Sequence, residues 1–150
     1  MFKAILFDMD GVIVDSFDCW HIVFNKALAH YGYELLSIEN FKDEVWGFST
    51  EKNMRYFPGK NVEEVRQFFI DYFDATGAKI EKELPELLSQ LKTRYKLAIV
   101  TNSDRLIVDK LLNSTGIIHC FDFIATRDIV KEPKPDPEMI ILACKKLHIM

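Results

Sequence analysis

The stretch ILFDMDGVIVDS, residues 5–16, runs from apolar residues straight into two aspartates that are one residue apart. The run AILF (4–7) is apolar at every position, which is typical of a strand buried on both faces of a parallel sheet. In an extended backbone, Asp8 and Asp10 point to the same side, and Gly11 lets the chain turn at once. Two carboxylates facing one spot repel unless a cation binds there or one is protonated. The stretch therefore predicts a chemical site at a strand end.

Composition limits the classes of function. The chain has 150 residues, 49% apolar and 13% aromatic, enough for one domain or for a core with a small insert, so disorder is excluded. The net charge of -4, without a Lys/Arg cluster, indicates no nucleic-acid partner. No apolar run approaches the roughly 18 residues of a membrane span, and Asp8 interrupts the first run before it could form a signal peptide. Cys19, Cys120 and Cys144 lack metal-ligand spacing, so we expect reduced thiols in a cytoplasmic protein.

Apolar periodicity predicts alternating strands and helices. Helical spacing runs from Phe17 to Tyr31 and again after PGKN (58–61), so residues 16–81 are predicted to be all helical. The predicted elements that follow are a helix at 85–92, a strand at 96–101, a helix capped by Ser103 and ended by Gly116, a strand at 121–126, and a helix at 137–148 with Asp136 as N-cap. This order predicts an α/β fold with a parallel sheet.

Polar residues follow each predicted strand, where ligands bind in parallel α/β sheets. Asp8 and Asp10 follow the first strand; Thr101, Asn102 and Ser103 follow the second; Lys134 lies in the loop after the third. Mg²⁺ favours oxygen ligands and bridges carboxylates to phosphate. One aspartate can then attack phosphorus while the other moves the proton. Hydroxyl and amide groups can bind phosphoryl oxygens, and a lysine can offset their charge.

Three segments, FDMDGVIVDS (7–16), IVTNS (99–103) and KPDPEMIILACKKL (134–147), resemble the first three motifs of the haloacid dehalogenase (HAD) superfamily. The resemblance is to its phosphatase and phosphomutase branch, which has a helical cap. It implies a Rossmann-like α/β core at 1–15 and 82–150, with an inserted cap subdomain at 16–81. It also implies a Mg²⁺-dependent phosphatase of small phosphorylated metabolites that works through an aspartyl-phosphate.

The resemblance also assigns roles to individual residues. Asp8 would be the nucleophile and a metal ligand, and Asp10 the general acid/base and a second metal ligand through its carbonyl. Thr101 and Asn102 would bind the phosphoryl group, and Lys134 would orient the nucleophile. The segment VWGFSTEK (45–52) resembles the family's substrate-facing loop. Further residues that we expect at the phosphate or the substrate are Gly11, Trp46, Phe48, Ser49, Lys52 and Ser103.

The same residues leave alternatives for the function and for the catalytic lysine. An EF-hand is excluded because the glycine comes too early and no ligands follow at alternate positions. Dehalogenases lack an aspartate at position 10, so Asp10 favours phosphate esters. The similar mutases carry a cap histidine at the position of Trp20, with His21 only adjacent here; this lowers the mutase alternative without removing it. Lys131 competes with Lys134 but is followed by Glu132, where the motif has proline.

The family pattern continues beyond Met150 with another strand that ends in acidic metal ligands, the fourth motif. No residue of this sequence can be assigned that role, so the core is expected to be incomplete after its third strand and the next helix. The run AILF would then form an exposed apolar edge, which invites pairing with another chain. Three explanations stay open: a fragment, a naturally short relative, or a homodimer or domain swap that covers the edge. A catalytically impaired or partner-completed phosphate-binding module is the alternative function.

Overall fold

A computed structural model describes residues 2–149, in which three strands form one parallel sheet. The first strand, β1 (Ala4–Phe7), pairs with β2 (Lys96–Val100), and β2 pairs on its other side with β3 (Phe123–Ala125). Each strand is followed by helical structure before the next begins. The predicted α/β fold with a parallel sheet is thus confirmed.

Helices connect and cover the strands. Within the described residues they are α1 (Phe17–Tyr31), α2 (Ile38–Glu44), α3 (Thr50–Asn53), α4 (Val62–Tyr72), α5 (Leu84–Lys92), α6 (Arg105–Thr115) and α7 (Glu138–Lys146), with 3₁₀ turns at Met54–Tyr56, Ile118–Cys120 and Arg127–Ile129. Helix α1 ends at Gly32, whose φ of +77° suits glycine and whose N–H donates to the carbonyl of Ala29. None of the described helices is long and apolar enough to cross a membrane. Met1 and Met150, the outer limits of the predicted core, lie outside the described residues.

Two predicted helix starts need correction. The N-cap of α6 is Asp104 and not Ser103, because the Ser103 hydroxyl donates to the Asp10 carboxylate instead, at 2.9 Å. A charged acceptor makes the stronger hydrogen bond. Helix α7 has Pro137 at its N-cap position, although an Asp136 carboxylate oxygen still accepts from the N–H of Glu138 at 2.9 Å. Both helices therefore begin one residue later than predicted.

The sheet is buried unequally on its three strands. Leu97 and Ile99 of β2 belong to one buried cluster with α5 and α6, while Ala98 packs on the opposite face with Met139 of α7. Because β2 is covered on both faces, its sequence is apolar without alternation. β1 has a single neighbouring strand and is only half-buried, which places it at the sheet edge as expected. The pairing of this edge with another chain stays a prediction.

The two ends of the segment 16–81, here called the helical insert, lie side by side next to the sheet. The backbones of Asp15 and Lys79 exchange two hydrogen bonds there, at 2.8 and 3.1 Å. Aromatic side chains predicted to form the insert's core are buried, among them Phe68, Phe69 and Phe73. The insert contains helices α1 to α4 and, among its described residues, no strand, as predicted, while residues 73–81 form no helix.

Two ion pairs connect the helical insert with the loops that follow β2 and β3. Arg66 of α4 pairs with Asp104, and both side chains are nearly buried. Glu51 of α3 pairs with Arg127 at 2.6 Å. These pairs hold the insert over the carboxyl ends of the strands, where the polar residues predicted to form the site are located.

Candidate active site

Asp8 lies directly after β1 and is held by a lysine from the third loop. Its Oδ1 atom lies 2.8 Å from Nζ of Lys134 and also accepts the N–H of Met9, at 2.8 Å. The same Nζ donates to the carbonyl of Val100, at 3.0 Å. The Oδ2 atom of Asp8 accepts no hydrogen bond within residues 2–149, and the side chain is half exposed. One carboxylate oxygen is thus fixed while the other is open to a ligand.

Asp10 lies deeper, and its carboxylate is surrounded by donors. Oδ1 accepts from the Ser16 hydroxyl at 2.6 Å and from the Trp20 indole N–H at 2.9 Å, while Oδ2 accepts from Ser103 at 2.9 Å. Burial raises the pKa of Asp10 above its usual value, and the charge of Asp8 adds to this, although the hydrogen bonds favour the ionised form. A carboxyl with a raised pKa retains a proton more readily, which suits an acid/base role.

Thr101, Asn102 and Ser103 follow β2 and complete the polar side of the site. The Thr101 hydroxyl is 3.5 Å from the second oxygen of Asp10 and accepts the N–H of Ser103. The Asn102 amide contacts the Lys134 backbone twice: Nδ2 donates to its carbonyl at 3.1 Å, and Oδ1 accepts its N–H at 2.8 Å. The amide that was expected at the phosphoryl group therefore also fixes the lysine loop.

The predicted polar residues line one small cavity of about 100 Å³. Six of them do so: Asp8, Asp10, Thr101, Asn102, Ser103 and Lys134. Trp46 lines the cavity as well, and its ring lies 3.6 Å from the position that a Cβ on Gly11 would occupy. Gly11 itself has a φ of +77° and forms the turn after Asp10. Ser49 lies in an adjoining depression, where its hydroxyl accepts the N–H of Lys52 as the N-cap of α3.

Sequence reasoning did not assign three polar residues that contribute to the site, Ser16, Trp20 and Asn53. Trp20 was considered only as the position of a mutase histidine, yet its indole N–H binds Asp10. Its spacing of four residues from Ser16 places both on one face of α1 and could have indicated this. Asn53 is buried at the cavity, and its amide donates to the carbonyl of Val45 at 3.1 Å, which supports the segment carrying Trp46. No sequence signal distinguishes this asparagine from a surface residue.

The donor set is compatible with Mg²⁺ but small. Asp8 offers an open carboxylate oxygen at the cavity, and the carbonyl of Asp10 accepts no hydrogen bond within the described part of the chain. Mg²⁺ usually binds one or two carboxylates and completes its shell with water and substrate phosphate. Between residues 2 and 149, no group of three or more His, Cys, Asp or Glu side chains is arranged to hold a metal. The two aspartates therefore fit the ion as partial ligands.

Comparison with known proteins identifies the class. Residues 5–150 match the haloacid dehalogenase-like hydrolase family, and the chain belongs to this family. It is 34% identical over 152 residues to pyrophosphatase PpaX of Bacillus velezensis, covering 96% of this chain and 68% of that one. It is 28% identical to N-acetylmuramic acid 6-phosphate phosphatase of Pseudomonas aeruginosa, covering 98% and 69%. By these relatives, the chain is a hydrolase of the phosphatase type.

Solved structures agree with the fold. A haloacid dehalogenase-like hydrolase from Bacteroides fragilis superimposes with a TM-score of 0.84 at 22% identity, covering all of this chain and 75% of that one. CbbY from Rhodobacter sphaeroides, solved with phosphate, gives a TM-score of 0.79 at 21% identity, covering 99% and 73%. The predicted Rossmann-like fold of the HAD superfamily is confirmed.

Proposed function

We propose that this chain is a Mg²⁺-dependent phosphatase of small phosphorylated metabolites that acts in the cytoplasm through an aspartyl-phosphate at Asp8. The observation that carries the proposal is the placement of Asp8, Asp10 and Lys134 around one cavity, with one oxygen of Asp8 held by the lysine and the other open. Phosphatases among the relatives support the reaction class. The three reduced cysteines, two of them buried, are consistent with the compartment.

In the first step, the open oxygen of Asp8 attacks phosphorus and the bond to the leaving oxygen breaks. Lys134 holds the other carboxylate oxygen and thereby fixes the direction of attack. The protonated carboxyl of Asp10 gives its proton to the leaving oxygen. In the second step, water attacks the same phosphorus while ionised Asp10 takes its proton, and phosphate leaves Asp8 as a free carboxylate. Splitting the transfer in this way replaces one difficult step by two easier ones.

The phosphoryl oxygens would be bound at the end of β2. The Thr101 hydroxyl lies there beside Asp10, and the Asn102 side chain is committed to the Lys134 backbone. We therefore assign phosphoryl binding to the hydroxyl of Thr101 and the backbone N–H of Asn102. Asp8 and the carbonyl of Asp10 would hold Mg²⁺, which supplies positive charge that lets a phosphate approach two carboxylates.

A second candidate function rests on the small ligand set. Within the described residues the site offers two acidic side chains, so the chain could act as a phosphate-binding module whose metal site needs groups from elsewhere. The mutase alternative is less favoured, because Trp20 fills the position of the mutase histidine and donates to Asp10. An indole N–H cannot exchange a proton with a sugar hydroxyl as imidazole does.

The test is hydrolysis of 4-nitrophenyl phosphate by the chain with and without Mg²⁺, beside Asp8→Asn. We expect release of phosphate that needs both the ion and Asp8. Activity equal to the Asp8→Asn control would contradict a phosphatase working in this chain. If the chain were then to bind phosphate with Mg²⁺, the binding-module function would stand instead.

A further inference from the structure

The part of the cavity that the helical insert contributes is mostly apolar, and Thr50 and Asn53 are its polar members. Its apolar side chains are Trp20, Phe24, Phe41, Val45, Trp46, Phe48 and Phe69. Phe24 packs edge-on against Phe41, with 5.5 Å between the ring centroids, and is stacked with Phe69 at 5.8 Å. Neighbours hold them in place, so they form a preformed surface and need no rearrangement to receive a ligand.

The charges of the cavity exclude a second anionic group on its ligand. Among the described residues that line it, Lys134 is the one cation, and its Nζ already contacts Asp8 and the carbonyl of Val100. The ionised Asp8 would repel a further anion, and the charge of Mg²⁺ would already be balanced by Asp8 and the phosphoryl group. An anionic group buried here would have no opposite charge, which is strongly unfavourable in an apolar environment. A further cation, Lys52, lines the adjoining depression and not the cavity, with its Nζ 3.5 Å from the centroid of the Phe48 ring.

From these two features we propose that the substrate is a phosphate monoester whose organic group is small, uncharged and apolar, with a flat face that packs on the aromatic wall. This inference rests on the proposed phosphatase site. The cavity of about 100 Å³ also has to hold the phosphoryl group, so the part of the organic group that lies inside it is no larger than about one ring. The substrate class therefore differs from the pyrophosphate named for the Bacillus velezensis relative, which has a second anionic group next to the phosphoryl group.

The test compares ligands that are not hydrolysed, in the presence of Mg²⁺: inorganic phosphate, methylphosphonate, benzylphosphonate and 3-phosphonopropionate. Isothermal titration calorimetry measures each Kd. Both tryptophans of the chain line the cavity, so a change in tryptophan fluorescence on titration locates the ligand there. We expect benzylphosphonate to bind about tenfold more tightly than methylphosphonate, and 3-phosphonopropionate no more tightly than methylphosphonate.

Two variants test whether the aromatic wall of the cavity causes the preference for the benzyl group. Trp46→Ala is expected to remove most of the benzyl preference, whereas Ile38→Ala, an exposed apolar residue of α2 in the same helical insert, should retain it. Tighter binding of 3-phosphonopropionate that Lys52→Met abolishes would overturn the inference, because the organic group would then be anionic. If Trp46→Ala does not fold, the Kd values of the four ligands for the unmodified chain still test the proposed substrate class.

The outcomes separate the two proposals. Binding of phosphate and methylphosphonate with no gain from the benzyl group overturns the substrate class alone. Binding of none of the four ligands overturns the phosphate site and, with it, the substrate class.

Discussion

Asn102 holds Lys134 by both of its backbone groups, although 32 residues separate the two in sequence. The side-chain amide accepts the lysine N–H at 2.8 Å and donates to its carbonyl at 3.1 Å. The lysine side chain then returns to Asp8, at 2.8 Å. The end of β2 therefore fixes the loop after β3, and through it the orientation of the proposed nucleophile.

Replacing the Asn102 side chain should make the position of Lys134 less fixed, although the lysine itself is still present. Asn102→Ala loses both hydrogen bonds to the Lys134 backbone, so we expect kcat for 4-nitrophenyl phosphate to fall by about ten- to a hundredfold. Asn113→Ala, an exposed residue of α6, serves as the matched control and should leave kcat unchanged. Equal kcat values for both variants would show that Asn102 does not position Lys134.

Asp10 is expected to carry the proton in both steps. Asp10→Asn keeps the shape of the side chain but removes the acid/base group, so kcat should fall by about 10²- to 10⁴-fold. Because hydrolysis of the aspartyl-phosphate also needs the base, the phosphorylated chain should accumulate when 4-nitrophenyl phosphate is added. Asp15→Asn, at an exposed neighbouring carboxylate, should do neither. The measurement is steady-state kinetics together with the fraction of phosphorylated chain after rapid quenching.

Gly11 supplies the turn that carries the chain away from Asp10. Its φ of +77° is unfavourable for residues with a Cβ, so Gly11→Ala should lower the free energy of unfolding by about 1 kcal/mol. Gly77→Ala provides a comparison, since Gly77 is not among the residues of positive φ and an added Cβ would meet only the Cys19 sulfur, at 3.7 Å. Denaturant unfolding measures both. A Gly77 variant destabilised more than the Gly11 variant would refute the explanation by backbone strain.

The ion pair between Glu51 and Arg127 should make stability depend on pH. Burial alone would raise the pKa of Glu51, but backbone hydrogen bonding and the nearby Arg127 outweigh it and lower the pKa below its ordinary value of 4.5. A carboxyl with a lowered folded-state pKa adds stability that is complete above the unfolded-state pKa and is lost as pH falls through the folded-state pKa. The pair should therefore contribute at neutral pH and fade in acid.

Glu51→Gln tests this dependence. At pH 7 the variant should be less stable by about 1 kcal/mol, because the pair is partly exposed. The difference from the unmodified chain should shrink as the pH falls below the ordinary pKa of 4.5. Glu39→Gln, an exposed residue of α2, is the control and should show no such change. A Glu51→Gln difference that is constant between pH 7 and pH 3 would argue against an ionic contribution.

The sequence predicted the elements whose apolar pattern is decisive. β1 and β2 are continuous apolar runs and the long helix α1 has clear periodicity, so each was located to within one residue. The end of α4 was not predicted, because the helical prediction continued to residue 81. The short helices α2 and α3 were not resolved within the segment 16–81, because four to seven residues carry too little periodicity. The 3₁₀ turns were not predicted, for the same reason.

At the site, sequence motifs predicted which residues meet but not how they bind one another. Asp8, Asp10 and Lys134 were expected together because strand ends share one edge of a parallel sheet. The donation from Trp20 to Asp10 and the binding of the Lys134 backbone by Asn102 depend on side-chain directions, which a sequence pattern does not contain. For the same reason, Ser103 was assigned to a helix cap when its hydroxyl binds Asp10.

The central claim is that the phosphoryl group passes through Asp8, and it is tested most directly by trapping that intermediate. The chain is mixed with Mg²⁺ and 4-nitrophenyl phosphate, quenched in acid and digested, and the peptide containing Asp8 is examined by mass spectrometry. The account predicts the added mass of one phosphoryl group on Asp8, absent without Mg²⁺ and absent in Asp8→Asn. Phosphate release without that modification in the unmodified chain or in Asp10→Asn would contradict it.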